Sequence, residues 1–145
     1  MKSLGTWLLA GALLLLGNSA HAGLQLRLKT DGLSPAQQQA SQALIDEAMQ
    51  KLPPSFIERL DRRIDVGWTD DMPSNAYGQA TLVAELDLNR KLLASLTDGS
   101  AAKEKTNRPH GTVRQELLAT VLHEITHIYD RARLWPDAER TLIQR

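Results

Sequence analysis

The sequence predicts an α+β domain in which a small mixed or antiparallel sheet packs on one long, central amphipathic helix. Period-two alternation recurs at Leu24–Leu28, Ile64–Trp68 and Gln79–Leu88, as half-buried strands require. Apolar residues spaced three and four apart run from Val113 to Ile128, as a helix with one buried stripe requires. With 145 residues, 42% of them hydrophobic, the chain has the length and apolar content for one small core.

Composition narrows the function classes. Seventeen basic residues balance 17 acidic ones, so the chain lacks the cationic surplus that nucleic acid binding needs. Aromatic residues are only 4%, too few for a stacking platform. With no cysteine there is no disulfide framework, thiolate metal site or thiol nucleophile.

The first 22 residues read as a leader. Lys2 supplies one positive charge, Leu4–Gly17 is an apolar run, and Ala20-His21-Ala22 places small residues where a signal peptidase cuts. The apolar run is 14 residues, short of the roughly 20 that span a bilayer. Cleavage after Ala22 would release Gly23–Arg145 to the periplasm or the exterior with no stable membrane anchor, and would remove His21 from any site.

In the mature chain, Leu24, Leu26 and Leu28 alternate with Gln25, Arg27 and Lys29 to form a first strand, and Asp31-Gly32 turns. Ser34-Pro35-Ala36-Gln37 opens a helix with a capping box and proline at its first position. This helix should reach about Leu52, with Ala36, Ala40, Ala43, Leu44, Ala48 and Met49 buried, and stop at Pro53-Pro54. Ser55–Asp61 adds a helical turn or two, and Ile64, Val66 and Trp68 mark a second strand. Asp70–Tyr77 is a loop. Gln79–Leu88 reads as one continuous third strand, with Leu82, Ala84, Leu86 and Leu88 on one side. Asn89–Leu96 is a short helix and Thr97–Gly111 an exposed loop. Thr112 caps the main helix, which runs to about Leu134, and Trp135-Pro136 separates it from a last helix over Asp137–Arg145. Trp68 and Trp135 are expected core anchors whose indole N–H needs a partner, and the Arg62-Arg63 and Arg131/Arg133 pairs are expected on solvated faces.

The main helix carries His123-Glu124-Ile125-Thr126-His127, an HExxH motif. Residues i and i+4 share a helix face, so both imidazoles can reach one metal ion, with Glu124 beside them as general base. Imidazole nitrogen suits zinc rather than calcium or magnesium. Thr120-Val121-Leu122 before the motif and Ile128-Tyr129 after it keep the flanks uncharged, as a helix through the middle of a domain demands.

Over Thr120–Tyr129 the chain closely resembles the zincin metallopeptidases, and the likeness extends more weakly over Ile64–Leu134. It implies a zincin-like domain over residues 23–145, with an edge strand near Gln79–Leu88 lining the cleft. It also implies Zn2+ on His123 and His127, with Glu124 activating a water that attacks a peptide carbonyl. A catalytic zinc takes a third protein ligand. The metzincin frame is excluded, because Asp130 and Arg133 stand where that class has Gly and His. In the gluzincins the third ligand is a Glu on a later helix, which makes Glu139 the candidate within this chain. Asp137 is a further carboxylate there, and Asp130 fits better as a hydrogen-bond partner of an imidazole. The alternative is that the chain is the front part of a longer protein whose third ligand lies beyond Arg145. Tyr129 is expected to pack, and His110 and Tyr77 are remoter candidates for substrate contact.

The sequence therefore leads to an exported zinc-dependent hydrolase, first of all a metallopeptidase, acting on a peptide, a protein or a cell-wall peptide. The competing reading is a non-catalytic zincin-like binding or scaffold domain with an incomplete metal site. Oligomeric state and cleavage specificity have no signature in the sequence.

Overall fold

The computed structural model describes residues 23–82, 84–102 and 111–134. Four strands form one mixed sheet in the order β1-β2-β4-β3. β1 (Gln25–Leu28) pairs parallel with β2 (Arg63–Thr69), and β2 pairs parallel with β4 (Glu85–Asn89). β3 (Gly78–Ala80) returns antiparallel along β4 and forms an edge. Helices α1 (Pro35–Lys51), α2 (Pro54–Arg59) and α3 (Val113–Leu134) complete the described fold. The chain is thus α+β with a small mixed sheet, as the alternation and the helical stripe predict. Among the described residues no helix is long and apolar enough to cross a membrane.

Both long helices begin where side chains can satisfy their free N–H groups. Ser34 and Gln37 form the expected capping box on α1, after a turn in which Gly32 holds a φ of 69°. Thr112 and Gln115 do the same for α3: the Thr112 hydroxyl accepts from Gln115 N–H at 3.2 Å, and Gln115 Oε1 accepts from Thr112 N–H at 2.8 Å.

α3 buries Val113, Leu117, Val121, Ile125 and Ile128 against Ile64, Val66, Leu86 and Leu88 of the sheet, in one core shared with α1. The buried stripe of α1 is Ser41, Leu44, Ile45 and Ala48, with Ala40 and Met49 packed partly buried beside it, so the expected face holds at Ala40, Leu44, Ala48 and Met49 and fails at Ala36 and Ala43. Ala36 and Ala43 are exposed, because alanine costs little on either side of a helix and so marks no face. The indole N–H of Trp68 donates to the buried Ser41 hydroxyl at 3.0 Å, which ties α1 to β2. Phe56 of α2 stacks on Tyr129 of α3 with ring centroids 4.5 Å apart, so Tyr129 packs as expected.

The third predicted strand is two. Gln79–Leu88 breaks into the β3–β4 hairpin, in which Thr81 N–H donates to Glu85 O at 2.8 Å and Ala84 takes a φ of 59°. A left-handed residue closing a three-residue loop is a usual hairpin geometry, here built on alanine. Leu82, expected inside, is 61% exposed at the turn. Asn89–Leu96 forms two short 3-10 turns, Arg90–Leu92 and Ala94–Leu96, in place of the expected helix. The leader, Trp135 and the last predicted helix lie outside the described residues.

Candidate metal centre

α3 presents His123 and His127 one turn apart on its exposed side, with the fully buried Ile125 between them in sequence fixing that side outward. Their Nε2 atoms are 2.9 Å apart and their rings meet nearly edge to face, with an interplanar angle of 88°. Two imidazole nitrogens that close must have a proton or a metal ion between them, since facing lone pairs repel. The donor set suits a metal. Two bonds of 2.0–2.1 Å at a tetrahedral angle place the nitrogens about 3.4 Å apart, so small ring rotations suffice.

Glu124 is half-buried and turned to the edge strand, where its Oε2 accepts from Ala80 N–H at 2.8 Å. The β3–β4 register explains why that N–H is free. Tyr77 O accepts from Asn89 N–H, and Thr81 N–H donates to Glu85 O, so the backbone groups of Gly78 and Ala80 point away from β4. A second side chain of α3 grips the same hairpin. Arg131, expected on a solvated face, donates to Thr81 O at 3.0 Å. It lies two turns beyond Glu124 on the same side of the helix, so the pair clamps β3 onto α3.

Between helix and edge strand opens a cavity of about 550 Å³, walled by His123 and Glu124, by Thr120, and by Tyr77 and Gly78. Gly78 is required there, because a Cβ would stand 2.8 Å from Thr120 Cγ2 and 2.9 Å from Asp87 O. The loop before β3 is held by Asn89, which is fully buried. Its Nδ2 donates to Ala76 O at 2.7 Å and Pro73 O at 3.3 Å, and its Oδ1 accepts from Lys91 N–H at 3.1 Å. Asn89 was not legible as a site-supporting residue: an asparagine after a strand reads equally well as a helix cap, a role it also fills.

The structure thus brings together His123, His127, Glu124 and Tyr77. Asp130 is exposed farther along α3, while Glu139, Asp137 and His110 lie outside the described residues. Among the described residues, no group of three or more His, Asp or Glu side chains converges as a metal-binding set.

No curated protein and no solved structure matches the chain. Residues 25–145, from the first residue of β1 through the HExxH helix, match a domain family, DUF7844, described as a domain of unknown function. With most of its length covered by that match, the chain belongs to the DUF7844 family.

Proposed function

We propose that the protein is an exported, zinc-dependent hydrolase of the zincin kind, and specifically a metallopeptidase acting on peptides, proteins or cell-wall peptides. The observation that carries this reading is the pair of Nε2 atoms 2.9 Å apart, one of them on His123, which with Glu124 lines a cavity beside an edge strand. His123 and His127 would hold the ion through neutral imidazole nitrogens. Zinc, when bound, acidifies a water and polarises the scissile carbonyl. Glu124 would serve as general base, taking a proton at its carboxylate from the attacking water and returning it to the leaving amine. Ala80 N–H orients the carboxylate meanwhile. The outward backbone groups of Gly78 offer an extended substrate a place to pair beside the cavity. Glu139 remains the candidate third ligand within the chain. The leader-like residues 1–22 support export to the periplasm or beyond.

A second reading is favoured by one observation, the lack of a third converging ligand among the described residues. On it the protein is a zincin-like binding or scaffold domain with an incomplete metal site.

Metal content decides between them. Plasma mass spectrometry on the purified protein should find about one zinc per chain, lost in His123→Ala. A folded wild type without zinc would reject the enzyme in favour of the scaffold. With zinc present, Glu124→Gln should keep the metal and lose peptide hydrolysis, and a fully active Glu124→Gln would remove the general base from the reading.

A further inference from the structure

A second cavity, of about 710 Å³, continues from the first. The two share Asn75, Ala76 and Tyr77, the short run that Asn89 pins in place, so this loop is a partition between them. The walls differ in chemistry. The first cavity has the Glu124 carboxylate and the His123 imidazole. The second has Leu92 and Val113 as apolar lining and, among the described residues, one charged side chain, Lys91, with the Ser95 hydroxyl on the same wall and no carboxylate.

Like Arg90 and Arg131, which donate to backbone carbonyls, Lys91 has no carboxylate partner among the described residues, and of the three it is the one that lines this cavity. Arg27, Lys29 and Arg114 each meet a carboxylate within 2.9 Å, whereas among the described residues Lys91 forms no ion pair. Its ammonium donates only to the Met72 carbonyl, at 3.4 Å. Ser100, also on the wall, has its amide and hydroxyl committed to Asp98, so the polar lining open to a ligand is Lys91 and Ser95 on one side and Ser74 and Asn75 on the other. A cation without a countercharge at the mouth of a half-apolar cavity is a receptor for an anion carried on an apolar stem.

We infer that the second cavity is the specificity subsite of the cleft and takes a peptide carboxylate, gripped by Lys91. This rests on the peptidase reading for its relation to the cleft. The carboxylate has two possible sources, an acidic side chain and a free C-terminus, and the substrate class is an acidic peptide in either case.

The test is an amide NMR titration of the purified protein with three tetrapeptides. One is blocked at both ends and carries a Glu, the second replaces that Glu with Gln, and the third has the Gln sequence with a free C-terminus. The Glu peptide, the free-ended peptide, or both should bind about tenfold tighter than the blocked Gln peptide and shift the amides of Lys91 and Ser95. Which of the two does so identifies the source. Lys91→Gln should abolish the preference and leave binding of the blocked Gln peptide unchanged. Equal binding of all three, a preference that survives Lys91→Gln, or no shift at Lys91 and Ser95 at millimolar peptide would overturn the inference. Because the readout is binding, its failure is separable from that of the peptidase reading. Carboxylate binding without zinc or hydrolysis would sink the enzyme and keep the subsite, and hydrolysis indifferent to Lys91 would do the reverse.

Discussion

On the outer face of the sheet opposite charges close on each other, whereas on the exposed side of α3 like groups converge. Arg27 makes two hydrogen bonds to Asp65, at 2.9 and 2.8 Å, and Lys29 reaches Glu85 at 2.6 Å. Across the sheet, His123 and His127 present ring nitrogen to ring nitrogen at 2.9 Å, and Lys91 has no carboxylate partner among the described residues. Complementary pairs satisfy themselves and need no ligand. Two ring nitrogens in contact must share a proton or take a metal ion, and a cation at a cavity can take an anion from outside. Charge density alone therefore does not locate the site in this fold; the polar groups left without a complement do.

Two glutamates put that contrast to its severest test. Glu124→Gln should lower peptide hydrolysis by about 10²–10⁴-fold with zinc retained, because a positioned general base is lost. Glu85→Gln, on the paired face, should leave turnover within about twofold, since surface ion pairs contribute little. Comparable losses in the two variants would erase the distinction between the faces. Next in size is the support under the histidines. Ile125→Ala empties a fully buried position and should cost about 2–5 kcal/mol in a denaturant melt, while the exposed His123→Ala costs within about 0.5 kcal/mol. A large stability loss in His123→Ala would assign that histidine to the core instead. Asn89→Ala comes third. Stranding the Ala76 and Pro73 carbonyls should cost about 1–3 kcal/mol and speed hydrogen exchange over Pro73–Tyr77, with α3 unaffected. Unchanged exchange in that loop would mean that Asn89 does not hold the partition between the cavities.

What the sequence made legible follows from range. The HExxH helix obeys purely local rules, a cap at Thr112 and spacings of three and four, and the structure starts it at Val113 and carries it to Leu134. The β3–β4 hairpin obeys local rules too, yet it was hidden. Thr81 and Glu85 lie on opposite sides of a three-residue loop, four positions apart, so the even–odd alternation passes through the turn unbroken. Ala84 at positive φ supplies none of the glycine or asparagine that announces such a turn. On α1 the expected stripe holds at Leu44 and Ala48 and in part at Ala40 and Met49, but alanine marks no face, so Ala36 and Ala43 lie outward while Ser41 and Ile45 turn in toward Trp68 and the core. The two histidines of the candidate site are one turn apart and legible; the Glu124 contact with Ala80 and the Arg131 contact with Thr81 span 44 and 50 residues and have no local signature. A third ligand to the proposed metal would have no local signature beside the HExxH motif either.

The smallest effect sharpens the comparison from within the paired face. Hydrogen bonding to Arg27, reinforced by its charge, holds the Asp65 carboxyl below the usual carboxylate range. Burial, with the neighbouring charge of Glu85, pushes the Asp87 carboxyl above it. The signs then oppose. Asp65 contributes stability that is present above its unfolded value and is lost as pH falls through its depressed folded value. Asp87 keeps its proton more readily when folded, so its contribution weakens as pH rises from the ordinary carboxylate value through the raised one. Thermal melts across the acid range should therefore respond in opposite directions. Asp65→Asn should flatten the loss of stability at low pH, and Asp87→Asn should raise the melting temperature by about a degree or two near neutrality and leave it unchanged in acid. A drop for Asp87→Asn near neutrality that disappears in acid would mean that its carboxylate is stabilised by Lys29 more than it is penalised by burial. The outer face would then be a fully paired network with no strained member.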